Sequence, residues 1–196
     1  MGAWEAVDVA STDNMRACCT RIHEEFGRID ILVNNAAVGA AGALPDVTEA
    51  MFDRLFSVNV RGAFFAAQAA VAAMKLNGGG RIINISSLIA AKGVAANSHY
   101  AGAKAALIGF TRAWAVELAP FGVTVNAVLP ALTPTPMTYK AFDADELSRR
   151  AAAVPMKRLG TPEDVAAAVR YFCSPGAAFV TGQSISPNGA EFVGAL

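Results

Sequence analysis

Residues 81–106 read RIINISSLIAAKGVAANSHYAGAKAA, and this stretch decides the fold. Arg81–Ile85 is a short run dominated by isoleucine, which predicts a buried strand. The pattern that follows predicts a helix over residues 98–119, because Pro120 and Gly122 stop it there. A strand followed by a crossing helix is the repeating unit of a parallel sheet, so the chain is predicted to be an α/β protein.

The rest of the chain alternates in the same way. Ser11 can cap a helix that ends at Gly27. Residues 131–142, with three threonines and two prolines, are predicted to form a loop. The remaining predicted elements are a strand at 29–33, a helix at 48–76, a strand at 123–128, a short lid helix near 143–153, a helix start at Thr161-Pro162-Glu163-Asp164 and a strand near 183–186. We predict one domain over residues 1–196, a doubly wound parallel sheet of the Rossmann kind.

Composition excludes several classes of partner. The chain has 16 basic and 16 acidic residues and 54% apolar residues. Because no basic stripe or acidic tail occurs, nucleic acid and anionic membrane surfaces are not expected partners. The most apolar helix candidate, residues 63–74, contains Gln68 and is too short to cross a bilayer. The first residues carry Glu5 and Asp8 and lack the basic segment of a secretory signal.

The three cysteines indicate a reducing compartment. Cys18 and Cys19 are adjacent and would strain to form a disulfide, and Cys173 leaves an odd number. None of them has the spacing of metal ligands, so we predict no metal. Reduced thiols in the cytoplasm are the expected state.

Four polar residues suggest carbonyl and alcohol redox chemistry. Tyr100 and Lys104 lie one helical turn apart, Ser87 precedes Tyr100 by thirteen residues, and Asn59 lies upstream. A tyrosine hydroxyl titrates near pH ~10, and an ammonium one turn away is expected to lower that pKa. Ser87 can donate a hydrogen bond to a carbonyl oxygen, and Asn59 can hold a water in a proton path. Taken alone, Tyr100 and Lys104 are more often a half-exposed aromatic ring beside a solvated cation.

Ordered motifs along nearly the whole chain resemble the short-chain dehydrogenase/reductase family. In chain order they are Asp30–Ala37 (DILVNNAA), Asn59–Gly62 (NVRG), Arg81–Ser87 (RIINISS), Tyr100–Ala106 (YAGAKAA), Val123–Pro130 (VTVNAVLP), Arg158–Asp164 (RLGTPED) and Thr181–Gln183 (TGQ). The sequence departs from the family pattern at Ala37 and Ala131, which replace glycines, and at Pro187–Ala190. Among members of this family, the sequence most resembles 3-oxoacyl carrier-protein reductases.

The resemblance implies a role for each matched residue. Tyr100 would be the acid/base, Lys104 would lower its proton affinity, Ser87 would orient the carbonyl, and Asn59 would maintain a water relay. Ser86 is expected to be satisfied locally at the strand end. NAD or NADP is the implied cofactor, and the residues expected to bind it are Asp8, Val9, Asn35, Ala36, Ala37, Tyr100, Lys104, Pro130, Thr133 and Thr135. Without the resemblance, Asn35 is an ordinary turn residue and the two threonines are ordinary loop residues.

No glycine-rich phosphate loop precedes Asn34, although family members begin with one. Residues 1–8 resemble the tail of the family's third strand, so the first two strands, their helices and the residue that selects NAD or NADP are expected to be missing. Ile31–Val33 would then be an edge strand. We expect residues 1–10 to dangle, to pair along that edge or to join another chain.

Two hypotheses for function follow. One is an NAD(P)-dependent oxidoreductase that acts on a small-molecule ketone or secondary alcohol. The other is a fragment or non-catalytic relative that serves as an oligomerisation or binding module, because several charge-assisted hydrogen bonds to the pyrophosphate would be absent. The resemblance also implies a homodimer or tetramer formed by helices 48–76 and 98–119, whose extra apolar residues include Phe64, Phe65 and Phe110. Burial in a monomer core is the competing explanation for these residues.

Overall fold

The computed structural model describes residues 5–39 and 41–194. Its centre is a parallel sheet with strand order β1-β2-β3-β4. The strands are β1 (Ile31–Asn34), β2 (Gly80–Ile85), β3 (Val123–Val128) and β4 (Ser184–Ile185). Every β3 residue is buried, as expected for a strand covered by helices on both faces. The predicted α/β fold with a parallel sheet is confirmed.

Helices connect and cover the strands within the described residues. They are α1 (Thr12–Phe26), α2 (Glu49–Phe56), α3 (Ala63–Leu76), α4 (Ile89–Lys92), α5 (Ser98–Leu118), α6 (Pro136–Ala141), α7 (Ala144–Ala153) and α8 (Pro162–Cys173). One core cluster lies between the sheet and helices α3 and α5 and is built on Ala70, Met74, Ile82 and Val125. A second cluster lies on the opposite face around Phe172 of α8.

Local signals at the helix ends explain where several helices start and stop. The Ser11 hydroxyl accepts a hydrogen bond from the Asn14 amide, and Gly27 ends α1 with φ +75°, a left-handed conformation that favours glycine. Thr161 and Asp164 form a reciprocal capping box at the start of α8. These boundaries agree with the sequence-based predictions.

The predicted helix over residues 48–76 is not regular. It is divided into α2 and α3 by a π-helical segment, Ser57–Gly62, which contains Asn59. π segments are rare, and they often lie at functional sites. By length and composition the combined run Glu49–Leu76 could cross a membrane, contrary to the expectation drawn from residues 63–74. A core helix meets the same criteria, and here α3 packs against α1, β1 and β2.

A second departure lies in the predicted loop over residues 131–142, which contains α6. Thr135 caps this helix by accepting from the Thr138 amide, and Pro136 occupies its first turn. Proline fits there because the first turn does not need its N–H. The sequence signals were therefore those of a helix start, not of a loop.

The described residues before α1, 5–11, do not add a strand to the sheet. Residues 5–10 have no strand structure, and the first four residues of the predicted strand tail lie outside the described residues. Arg61 donates to the Ala10 carbonyl at 2.8 Å, and a Cβ added at Gly62 would lie 2.8 Å from the Val9 carbonyl oxygen. Within the described residues β1 pairs only with β2, and Ile31 is 47% exposed at this edge.

Candidate active site

The predicted site residues gather where strands end. Asn35–Ala37 follow β1, Ser86 and Ser87 follow β2, and Pro130 lies two residues beyond β3. The carboxyl ends of parallel strands share one edge of the sheet, which is where open α/β sheets bind ligands. The Leu88 amide donates to the Pro130 carbonyl at 2.9 Å and so joins the segments beyond β2 and β3.

Tyr100 and Ser87 meet at their hydroxyl groups. Tyr100 lies in the first turn of α5 and is partly buried. Its phenol forms a side-chain hydrogen bond with Ser87. The Ser87 oxygen also accepts from the Ile89 amide at 3.2 Å, so its own proton remains available to donate.

Lys104 is buried beneath this pair and is not a solvated cation. Its residue is 3% exposed, and its ammonium nitrogen lies 5.9 Å from the centre of the Tyr100 ring. Nζ donates to the Ile85 carbonyl at 2.8 Å. Burial penalises the charged form and lowers the pKa of Lys104 from 10.5 to about 8.

The structure reverses the expected direction of the Tyr100 pKa. Burial raises this pKa above its ordinary value, and the hydrogen bond from Ser87 opposes the rise. The expected lowering of this pKa is not met, because the loss of solvent is the largest effect on the phenol. The Tyr100 hydroxyl is both a hydrogen-bond donor and an acceptor, so it can pass a proton to a neighbouring oxygen.

The Asn59 side chain bonds at both ends to the main chain of Val38. It is 1% exposed, its Nδ2 donates to the Val38 carbonyl at 2.8 Å and its Oδ1 accepts from the Val38 amide at 2.8 Å. Both ends of the amide are thus committed to one main-chain residue in the segment that follows β1. These two hydrogen bonds clamp the π segment to the edge of the site, and the water relay at Asn59 stays a prediction.

The other residues predicted to bind cofactor lie in three segments of the chain. Thr133 donates to the Ala131 carbonyl at 3.1 Å, and Thr135 caps α6, so both hydroxyls are engaged locally. Asn35 and Ala36 are exposed beyond β1. Asp8 and Val9 lie in the segment before α1, where the Asp8 carboxylate accepts from the Ala10 amide at 3.0 Å.

Two features of the site escaped the sequence-based reading. Ser86 is not satisfied locally: its hydroxyl donates at 2.7 Å to the carbonyl of Lys104, eighteen residues away. His99, beside Tyr100, is 5% exposed, and neither ring nitrogen has a hydrogen-bond partner within the described residues. The only feature of the sequence that pointed to a role for Ser86 was its position next to Ser87 at the end of a strand. For His99 the only such feature was its position beside Tyr100.

The N–H donors of Lys104 indicate whether the carboxyl edge of the sheet can bind a dinucleotide. An ammonium has three N–H donors, and Ile85 is the single hydrogen-bond acceptor recorded for it in the described part of the chain. Two donors therefore remain in a buried position beside Tyr100, which fits the hydroxyls of a ribose. The exposed main chain at Asn35 and Ala36 leaves the neighbouring surface open.

Comparisons with known proteins agree with the fold. A family model described as enoyl-(acyl carrier protein) reductase matches residues 2–189. A 3-oxoacyl-[acyl-carrier-protein] reductase of Vibrio cholerae is 37% identical over 192 residues, which cover 98% of this chain and 78% of the relative. Acetoacetyl-CoA reductase of Cupriavidus necator is 36% identical over 187 residues, 95% of this chain and 76% of the relative.

Solved structures give the same result. Levodione reductase superimposes with a TM-score of 0.92 at 30% identity, covering 95% of this chain and 76% of that one. ElxO with NADP bound has a TM-score of 0.90 at 31% identity, covering 95% of this chain and 77% of that one. This chain belongs to the short-chain dehydrogenase/reductase family. It is an NAD(P)-dependent oxidoreductase, and its cofactor is NAD or NADP.

Proposed function

We propose that this protein interconverts a small-molecule carbonyl compound and a secondary alcohol, with Tyr100 as the proton donor and acceptor. The observation that carries the proposal is the contact between the Tyr100 and Ser87 hydroxyls above a buried Lys104. A neutral phenol beside a second hydroxyl can polarise and protonate one oxygen atom. Relatives named 3-oxoacyl-[acyl-carrier-protein] reductase and acetoacetyl-CoA reductase support this class of substrate.

In the reductive direction Tyr100 acts as the acid. The nicotinamide, when bound, supplies the hydride that forms the new C–H bond at the carbonyl carbon. Tyr100 transfers its proton to the carbonyl oxygen as the C=O π bond breaks, which leaves a phenolate and an alcohol. Ser87 donates a hydrogen bond to the same oxygen and holds it near Tyr100. The phenolate regains a proton from solvent by way of the Lys104 ammonium.

Lys104 has two further roles in this proposal. Its remaining N–H donors would hold the ribose next to the nicotinamide. With a pKa of about 8 it can release and regain a proton near neutral pH. Asn59 would act through the main chain, because its side chain fixes Val38. Other residues that would hold the cofactor are Asp8, Val9, Asn35, Ala36, Ala37, Pro130, Thr133 and Thr135.

A mostly apolar surface flanks the site and suits an aliphatic or cyclic ketone. Val94 and Met137 are about 40% exposed, and Met137 of α6 lies against Gly39 in the segment after β1. The α6 and α7 segment therefore faces the strand ends, as a lid would. Phe142 lies under the Arg150 guanidinium at 4.3 Å, which fastens α7 to this segment.

Cofactor binding is the first test of the proposal. We expect saturable enhancement of NADH or NADPH fluorescence when the purified chain is titrated with each nucleotide. The Lys104→Met variant should bind more weakly, because it loses the two donors that face the ribose, whereas Lys75→Met, on the exposed side of α3, should bind normally. If neither nucleotide saturates the chain below about 1 mM, the alternative of a non-catalytic binding module gains support.

We also propose that the protein is a homo-oligomer built on α2, α3 and α5. Phe52 and Phe64 on these helices remain partly exposed, and an open groove of about 510 Å³ is lined by Phe52, Phe56 and Gly102 among other residues. Phe64, Phe110 and Trp114 pack against one another, so the monomer covers only part of this aromatic surface. A second copy of the same face would cover the remainder.

Gly109→Arg on α5 is expected to convert the oligomer to monomer. A Cβ at Gly109 meets no atom within 4 Å, so the fold tolerates the substitution, whereas a charged side chain would prevent close approach of a partner. Light scattering after size exclusion measures the mass. Glu24→Arg on α1 adds the same side chain elsewhere and should leave the assembly unchanged. A monomeric wild-type chain would contradict the proposal.

The other expected partners and the compartment remain proposals. The net charge of zero supports the absence of nucleic acid as a partner. Cys18, Cys19 and Cys173 are all free thiols, which supports a reducing compartment such as the cytoplasm.

A further inference from the structure

Two hydrogen bonds join the end of β2 to a single residue of α5. The Ser86 hydroxyl donates to the main-chain carbonyl of Lys104 at 2.7 Å. In the opposite direction, the Lys104 ammonium donates to the Ile85 carbonyl at 2.8 Å. Ser86 and Lys104 are each 3% exposed, so both bonds are shielded from water. The residue that follows this link is Ser87, and Tyr100 lies one helical turn before Lys104.

The carbonyl of Lys104 does not need Ser86 as a donor. A carbonyl in the interior of an α-helix already accepts from the amide four residues later, and its second lone pair can stay unused without a large penalty. In Ser86→Ala the hydroxyl itself is removed, so no buried donor is left without an acceptor. The Lys104 carbonyl would therefore still have a hydrogen-bond donor without Ser86. The distinct effect of the Ser86 hydrogen bond is to fix one turn of α5 against the end of β2.

The position of that turn matters for the chemistry. Tyr100 and Ser87 must bring two hydroxyls to one substrate oxygen, and they lie on different elements, α5 and the segment after β2. An error of about 1 Å in such a pair can cost about a hundredfold in rate. A rigid link placed next to Ser87 and one turn from Tyr100 holds the distance between the two hydroxyls.

We infer that Ser86 is a positioning residue which, together with the Ile85 carbonyl, holds Lys104 and Tyr100 in register with Ser87. This inference rests on the proposed function for its catalytic consequence, but the link itself can be observed without turnover. Loss of the hydroxyl should let the turn of α5 move away from β2. Lys104 should then become accessible, and proton transfer from Tyr100 should slow while substrate binding stays nearly unchanged.

The test compares Ser86→Ala with the matched control Thr111→Val. Thr111 is fully buried on the same helix, and its hydroxyl donates to the Leu107 carbonyl at 2.7 Å. It also accepts from Asn84 at 2.8 Å, so its loss should destabilise the fold at least as much. Ser86→Thr keeps a hydroxyl and serves as the rescue variant.

The first readout is reductive methylation of lysines by formaldehyde and borohydride, mapped by mass spectrometry. We expect the rate at Lys104, normalised to exposed Lys75, to rise about tenfold in Ser86→Ala, as expected from loss of one buried hydrogen bond. Ser86→Thr should restore protection, and Thr111→Val should leave Lys104 protected. Equal methylation in the wild type and Ser86→Ala overturns the link. If Lys104 is methylated as fast in Thr111→Val as in Ser86→Ala, the effect is not specific to the Ser86 hydrogen bond, and the inference is overturned.

The second readout is turnover. In Ser86→Ala we expect kcat to fall about tenfold, while KM for the carbonyl substrate stays within about twofold of the wild-type value. The solvent deuterium isotope effect on kcat should rise, because proton transfer becomes slower. Unchanged kcat with exposed Lys104 overturns the positioning role. Failure of the proposed chemistry is distinguishable, since it would show as full activity in Tyr100→Phe, while the methylation result would still report on the link.

Discussion

Replacing Tyr100 with phenylalanine is expected to lower kcat by about 10²- to 10⁴-fold, the range that general acid–base catalysis contributes. Phenylalanine keeps the ring and removes the hydroxyl that bonds with Ser87. The carbonyl oxygen would then have no proton donor at the distance needed for transfer. Steady-state reduction of a 3-oxoacyl thioester, followed by loss of NADPH or NADH absorbance, measures the effect.

Two controls separate this loss from a change in folding or in cofactor binding. Tyr171→Phe removes a hydroxyl from a tyrosine that is 44% exposed on α8, and it should keep full activity. Tyr100→Phe should also keep the circular dichroism spectrum and the cofactor affinity of the wild type, because the ring still fills its place. Activity of Tyr100→Phe within about threefold of wild type would remove this phenol from the mechanism.

The second large effect is a pH-dependent difference in stability between the wild type and the Lys104→Met variant. Burial lowers the pKa of Lys104 from 10.5 to about 8 in the folded protein. Between these values the unfolded chain binds more protons than the folded one, so the stability of the wild type rises with pH through this window. Below about pH 8 the buried ammonium carries its full cost, and above about pH 10.5 the cost disappears.

Methionine fills a similar volume and does not titrate, so Lys104→Met removes this dependence. From about pH 7 to about pH 10, the unfolding free energy of the wild type should gain about 2 kcal/mol relative to the variant. Urea unfolding at both pH values measures the difference, and other titrating groups cancel in the comparison. Lys75→Met, at an exposed lysine, should show no such change. A constant difference between wild type and Lys104→Met would contradict the lowered pKa.

Local signals were sufficient for much of the secondary structure. Ser11 and Gly27 bound α1 through a cap and a left-handed glycine, both of which depend on neighbours within four residues. The same holds for Thr161 and Asp164 at the start of α8. Prediction from local signals failed at Thr135 and Pro136. These residues start α6, but their clustering with other threonines and prolines suggested a loop.

The candidate site was predictable in its membership but not in its internal contacts. Helical spacing alone places Tyr100 and Lys104 on one face, and the end of a strand places Ser87 nearby. The partner of Asn59 is Val38, twenty-one residues away, and the partner of Ser86 is Lys104, eighteen residues away. Neither pairing follows from spacing, because each depends on how separate elements pack.

The sequence by itself determined the alternation of strands and helices, the family and the residue types that gather at the carboxyl edge of the sheet. These properties follow from side-chain periodicity, caps and chain order, all of which are short-range. The tertiary structure alone decided that Tyr100 is partly buried, that Lys104 is buried and that Ser86 joins strand to helix. The physical reason is desolvation: a pKa and a long-range hydrogen bond depend on how much water the packed elements exclude, which no single segment specifies.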